Sequence, residues 1–253
     1  MNETSGIIFR VVLAFLLAVA GGAISVAVGL SHHRLCALIS LAAGTLLGVT
    51  LFAILPECAA VMRWWELYLA LASGYVVFQL LSRYVYHVCP ACAASHFDEA
   101  TTHRFSEIAG ALIIALGVHS TMDGLALAAG RHGLQRETDL SMLMAVCVHK
   151  VPEGLALGAL LLGAGYTRRR TVLWVAAVES TTLLGGVAGM FVLPHVSGFW
   201  LAALLAHAGG GFIFLATHAV LGELMKHGKA TVLGNFAVGI ALIGVLHWVA
   251  HRL

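Results

Sequence analysis

Two short stretches place a histidine and a carboxylate four residues apart: His119-Ser-Thr-Met-Asp123-Gly-Leu-Ala-Leu127 and His149-Lys-Val-Pro-Glu153-Gly-Leu-Ala-Leu157. In a helix, that separation puts both side chains on one face, one turn apart. Two such faces brought together supply two imidazoles and two carboxylates. The set suits a divalent first-row metal, and zinc leads because it takes His nitrogen and Asp or Glu oxygen in a four-coordinate shell. The stretches are repeats displaced by 30 residues (149 − 119). A short connection makes the two helices antiparallel, so the repeat is inverted, an arrangement that sets substrate sites near the bilayer midplane. Gly124 and Gly154 let the helices approach closely, and Pro152 removes a backbone hydrogen bond beside the site.

The competing reading is interhelical polar contact with no ligand. Each ionised side chain at a membrane helix centre costs about 2.5–3.5 kcal/mol, so Asp123, Lys150, Glu153 and Glu179 together represent on the order of 10 kcal/mol. Structure alone rarely warrants that cost. Lys150 sits beside His149 in the middle of an apolar run, where its charge offsets a nearby carboxylate and takes the place of a second cation. Glu179 and Asp123 are its candidate partners.

The elements that must hold these residues follow from composition. The 253 residues are 60% hydrophobic and only 10% charged, with a mean hydropathy of +0.94, whereas soluble chains carry about 25% charged residues. Most of this chain's surface must therefore face lipid. A net charge of +2 offers nothing to nucleic acid. Crossing about 30 Å of hydrocarbon takes roughly 20 apolar residues in a helix. Eight such runs occur, over 7–30, 35–60, 65–87, 105–130, 139–165, 171–193, 198–225 and 230–250. The expected fold is an all-α integral membrane protein, one transmembrane domain of eight helices. Eight spans leave both termini on one side. Counting Lys and Arg in the loops puts eight inside and five outside when the termini lie outside and loop 82–106 is cytoplasmic, chiefly through Arg168–Arg170.

At this point the residues resemble the ZIP family of zinc and iron transporters, over essentially the whole chain. The most specific signal is His149-Lys150-Val151-Pro152-Glu153-Gly154; Leu55-Pro56-Glu57, Glu179 and the stretch from His218 to Glu223 also match. The resemblance implies helices one to three and six to eight related by inverted symmetry around helices four and five, with metal moving into the cytosol. It also implies one transport ion held by His119, Asp123, His149 and Glu153. Ser120 stands where Asn is usual and Lys150 where many members have a carboxylate. Both departures fall on the second metal site, so Lys150 replaces the other ion and Glu179 becomes a bridging or entry residue. Cadmium, iron and manganese remain open beside zinc, with no prosthetic group. The implied setting is a plasma or inner membrane, with a homodimer as an open partner state.

Other polar residues are less specific. His87, Cys89-Pro-Ala-Cys92, His96 and His103 form a CxxC with flanking histidines, a soft-metal pattern that would gather metal on the cytosolic side or be an incidental turn. His218 is a candidate for the exit path and His207 for the opposite end of the same helix; Glu57 and Glu223 lie near helix ends. An intramembrane zinc hydrolase would use the same ligands to activate water, but HExxH and a distinct general base are absent. A haem carrier would leave the carboxylates without a role.

Overall fold

A backbone in hydrocarbon must satisfy its own N–H and C=O groups, which leaves the helix as the element for these apolar runs. The computed structural model describes residues 3–28, 32–84, 105–133, 136–224 and 229–252. Among them every regular element is helical. We number the helices α1 (Glu3–Val28), α2 (His32–Val49), α3 (Trp64–Tyr84), α4 (Phe105–Gly133), α5 (Arg136–Gly163), α6 (Arg168–Val192), α7 (Gly198–Leu224) and α8 (Lys229–Ala250). α2 runs on through a π-helical turn, Thr50–Ile54, into a last stretch at Leu55–Val61. Six of the spans are long and apolar enough to cross a membrane; α3 and α4 are 21 and 29 residues long. Large apolar side chains such as Leu184, Phe191 and Val238 point outward, as a lipid-facing surface requires.

Small residues decide how the helices pair, because apolar burial gives little drive between helices already in lipid. A Cβ on Gly154 would fall 1.9 Å from the Ala18 carbonyl oxygen, and one on Gly21 would fall 2.3 Å from that of Val151. The α1 and α5 backbones therefore touch. The other half repeats the contact: Gly124 meets the Thr182 carbonyl at 2.0 Å and Gly185 meets that of Thr121 at 2.0 Å. The residue offsets are constant, 164 between α1 and α6 (182 − 18, 185 − 21) and 30 between α4 and α5 (154 − 124, 151 − 121). α2 on α8 and α3 on α7 are stitched in the same way, through Gly44 with Gly239 and through Gly74 with Gly210. Exchanging α1 with α6, α2 with α7, α3 with α8 and α4 with α5 thus carries the main contacts onto each other. The paired helices run parallel: Ala18 meets Gly154 and, further along both, Ser25 meets Gly158; Gly117 meets Thr181 and, further along both, Ala128 meets Gly189; Gly44 meets Phe236 and Gly48 meets Ile243, whereas α4 and α5 run antiparallel. This is the inverted repeat. It corrects one detail of the sequence reading: Gly124 and Gly154 bring α4 to α6 and α5 to α1, not α4 to α5.

The helices form two groups. α1, α4, α5 and α6 pack closely as a bundle, flanked by the pairs α2·α8 and α3·α7, with α2 bridging to both α5 and α7. Several hydroxyls inside the spans are absorbed locally: Thr45 and Thr50 donate to the carbonyls of Ala42 and Leu46 at 2.8 and 2.9 Å, the usual recourse of buried polar groups in a helix. A charged pair away from the repeated motifs is also buried. Arg10 of α1 meets the carboxylate of Asp139 of α5 through both guanidinium nitrogens. The loop count had treated Arg10 as an outer charge, but the structure takes it into the bundle, where a fork-to-fork pair satisfies both ions.

Candidate metal centre

The antiparallel crossing of α4 and α5 brings the repeated motifs face to face. His119, Asp123, His149 and Glu153 are all buried, and each offers one ligand atom within 4.8 Å of the others. Asp123 Oδ2 lies 3.4 Å from His119 Nε2 and 3.1 Å from His149 Nε2. Glu153 Oε2 lies 3.9 and 3.8 Å from the same two nitrogens. Metal–ligand bonds of about 2.0–2.1 Å in a tetrahedron set neighbouring ligand atoms roughly 3.3–3.4 Å apart. The two Asp123 edges are already near that length, and the two Glu153 edges are longer, at 3.8 and 3.9 Å.

The backbone helps to choose the ligand atom. His149 Nδ1 lies 2.9 Å from the Ala145 carbonyl, which can only accept, so Nδ1 carries the proton and turns Nε2 toward Asp123 and Glu153. The two imidazoles are neighbours, with ring centroids 5.6 Å apart. Phe78 meets His119 edge-on at 6.1 Å, and Phe212 meets His149 at 6.4 Å. Aromatic walls fix both rings and keep the local dielectric low.

Lys150 is fully buried and meets the same carboxylate oxygens that face the two imidazoles. Its Nζ lies 3.0 Å from Asp123 Oδ2, 3.0 Å from Glu153 Oε2 and 2.9 Å from Glu179 Oε2. The alternatives left open by the sequence collapse into one arrangement, because a single ammonium meets three acids. Lys150 also donates to Ser120 Oγ at 2.8 Å. That hydroxyl in turn lies 3.1 Å from Glu153 Oε1 and 3.2 Å from Glu179 Oε2. Glu179 is therefore tied to Lys150 and Ser120 rather than placed in the tetrad. Three acids against one fixed cation leave the pocket short of positive charge, a deficit of the kind a divalent ion fills.

A cavity of about 60 Å³ reaches the tetrad. His119, His149 and Glu153 form one end; Pro152 and Ala156 of α5, Ala43 of α2 and Ala219 of α7 lead away from it. These residues follow α5 toward its C-terminal end. His218 does not line this space: it stacks on Phe214 at 3.9 Å, and its Nδ1 meets the Phe214 carbonyl at 2.9 Å. His207 is bonded to Ser73 of α3 at 2.8 Å, and Glu57 is half-buried near the end of α2. The side chain of Glu223, and all of His87, Cys89, Cys92, His96 and His103, lie outside the described residues. Sequence reasoning missed Asp139, whose one signal was an acid ten residues before His149 in the same apolar span.

Residues 85–248 match the family profile described as ZIP Zinc transporter, well over half of the chain. The chain belongs to the ZIP family. Among relatives of this ZIP protein, Zinc transporter ZIP13 of Gallus gallus is 30% identical over 142 residues, covering 53% of this chain and 37% of the relative. Zinc transporter ZIP6 of Homo sapiens is 33% identical over 133 residues, 51% of this chain and 17% of the relative. Zinc transporter SLC39A7 of Rattus norvegicus is 29% identical over 157 residues, 58% and 32% respectively. The ZIP chain thus spans less than two fifths of each of these relatives. They are named as transporters, which lends the hydrolase reading no support.

Proposed function

We propose that this ZIP chain carries zinc across a cell membrane into the cytosol, one ion at a time, through the site between α4 and α5. The observation that carries the reading is the spacing of His119, Asp123, His149 and Glu153, buried together near tetrahedral edge lengths. Family membership and the zinc transporter names of the relatives support the cargo. A single ion follows from Lys150, whose ammonium fills the space between Glu179 and the tetrad.

Direction is argued from the cavity and the charges. The cavity leaves the tetrad toward the C-terminal end of α5, which is also the end where α6 begins with Arg168, Arg169 and Arg170, all exposed. Arginine clusters mark cytosolic faces. The N-terminal ends of α1 and α5, closed by Arg10 and Asp139, then face outside with both chain termini. The CxxC and histidines of loop 82–106 are proposed to collect zinc on the cytosolic side.

Radiolabelled zinc uptake into cells expressing the intact chain or His149→Ala, at matched membrane abundance, tests this reading. Uptake that requires His149 is the expected result. If both behave like the empty membrane across several divalent metals, the transport reading fails.

A further inference from the structure

A crevice of about 540 Å³ lies well away from the tetrad, between the last stretch of α2, α3 and α7. Leu55, Ala59, Met62, Leu71, Ala72 and Ile213 line it, and Tyr75, the lining residue farthest along α3 from Trp64, marks its floor. Tyr75 packs edge-on against Phe214 at 5.4 Å, which fixes the floor. Trp64 and Tyr68 stand at the mouth, in edge contact at 6.2 Å.

The depth of this crevice in the bilayer follows from helix register. α3 and α7 run in parallel, Leu71 beside Gly209 and, further along both, Phe78 beside Gly211 and Phe214, so Trp64 and Trp200 lie near the same height. Both are largely exposed, 74% and 65%, and Phe199 packs against Trp200. Exposed tryptophans at one level mark the headgroup region. Trp64 and Tyr75 are 11 residues apart (75 − 64), a descent of about 16 Å at about 1.5 Å per residue. That is close to half of the roughly 30 Å hydrocarbon core, the depth of one leaflet. Just outside Trp64 stands exposed Arg63, whose own backbone N–H is taken by the Glu66 carboxylate at 2.8 Å. A guanidinium at headgroup height suits a phosphate.

We infer that this crevice is a binding site for one acyl chain of a phospholipid, with the headgroup phosphate held at Arg63. The walls supply apolar surface along a leaflet's depth and the mouth supplies a cation. Loose annular lipid needs neither. The site stands apart from the metal ligands, so it holds or fails independently of the transport reading.

The test uses the full chain in nanodiscs of phosphatidylcholine doped with phosphatidylglycerol bearing a diazirine in mid-chain. After illumination, peptide mapping should concentrate label on 55–62 and 67–75 and show saturation as the labelled lipid is increased. Ala72→Trp and, from the opposite wall, Ala59→Trp should each reduce that label to the level of other lipid-facing surfaces, while Leu184→Trp on α6 leaves it unchanged. Arg63→Gln should lower the crevice label from the diazirine-bearing phosphatidylglycerol while leaving that from a diazirine-bearing diacylglycerol, which has no phosphate, unchanged. Label spread evenly around the lipid-facing helices and rising linearly with lipid in the unaltered chain would mean annular contact only and overturn the inference. So would undiminished labelling in both tryptophan variants.

Discussion

In the proposed reading, Lys150 is the residue that sets how many ions this site holds. Its ammonium lies within 3.0 Å of Asp123, Glu153 and Glu179, so removing it leaves three acids around a space that a cation had filled. Unpaired buried charge is expensive, and a second divalent ion is the available remedy. Lys150→Asn is expected to raise bound zinc from one ion per chain to two, read by elemental analysis of protein dialysed against buffered zinc; an unchanged single ion would refute the replacement. Ser120 orients Glu153 through its hydroxyl. Outer partners of this kind are commonly worth about 10–100-fold in metal affinity, so Ser120→Ala should raise the KM for zinc uptake by that order with Vmax largely kept. The tetrad was legible because each helix carries its own His-x-x-x-acid pattern. The three-way contact of Lys150 was not, because it depends on how α6 rotates Glu179 toward the pair, and that rotation is set by glycines rather than by a charge motif.

At the scale of elements, backbone contact between helices replaces side-chain interdigitation. A Cβ at Gly154 would lie 1.9 Å from the Ala18 carbonyl, so Gly154→Val must force α1 from α5 and should abolish stable, monodisperse protein. Gly234 on α8 has nothing within 4 Å; Gly234→Ala should leave thermal stability in detergent unchanged or raise it, since Ala gains about 0.5–1 kcal/mol over Gly in a helix interior. The Arg10 and Asp139 pair joins the same two helices. Breaking a buried pair from one side costs about 3–5 kcal/mol, so Asp139→Ala should lower the melting temperature more than the double change Arg10→Ala/Asp139→Ala. The helices themselves were readable from hydropathy, because a run of twenty apolar residues has few alternatives. Their partners were not, because small-residue contacts such as Gly21 on Val151 carry no period that a single sequence displays.

For the whole molecule, orientation is open to a direct check. In a background without native cysteines, Ser197→Cys, between α6 and α7, should react with a membrane-impermeant maleimide on intact cells, and Arg169→Cys should react only after permeabilisation. The reverse pattern would turn the molecule over and make the same cavity an entrance. The inverted frame was legible at its centre, where 119–127 and 149–157 align, but not at its flanks, where Glu179 faces Phe15 across the 164-residue offset. If zinc passes by the proposed route, the narrow cavity beside the tetrad limits throughput. Some 60 Å³ has room for only a handful of waters, and its far walls are alanine, proline and leucine. On the proposed transport reading, an ion leaving His149 would travel with most of its hydration shell stripped until it reached the mouth, a barrier that no ligand along those walls lowers. Flux through such a passage should saturate with zinc concentration and rise steeply with temperature, the behaviour of a carrier rather than of an open pore.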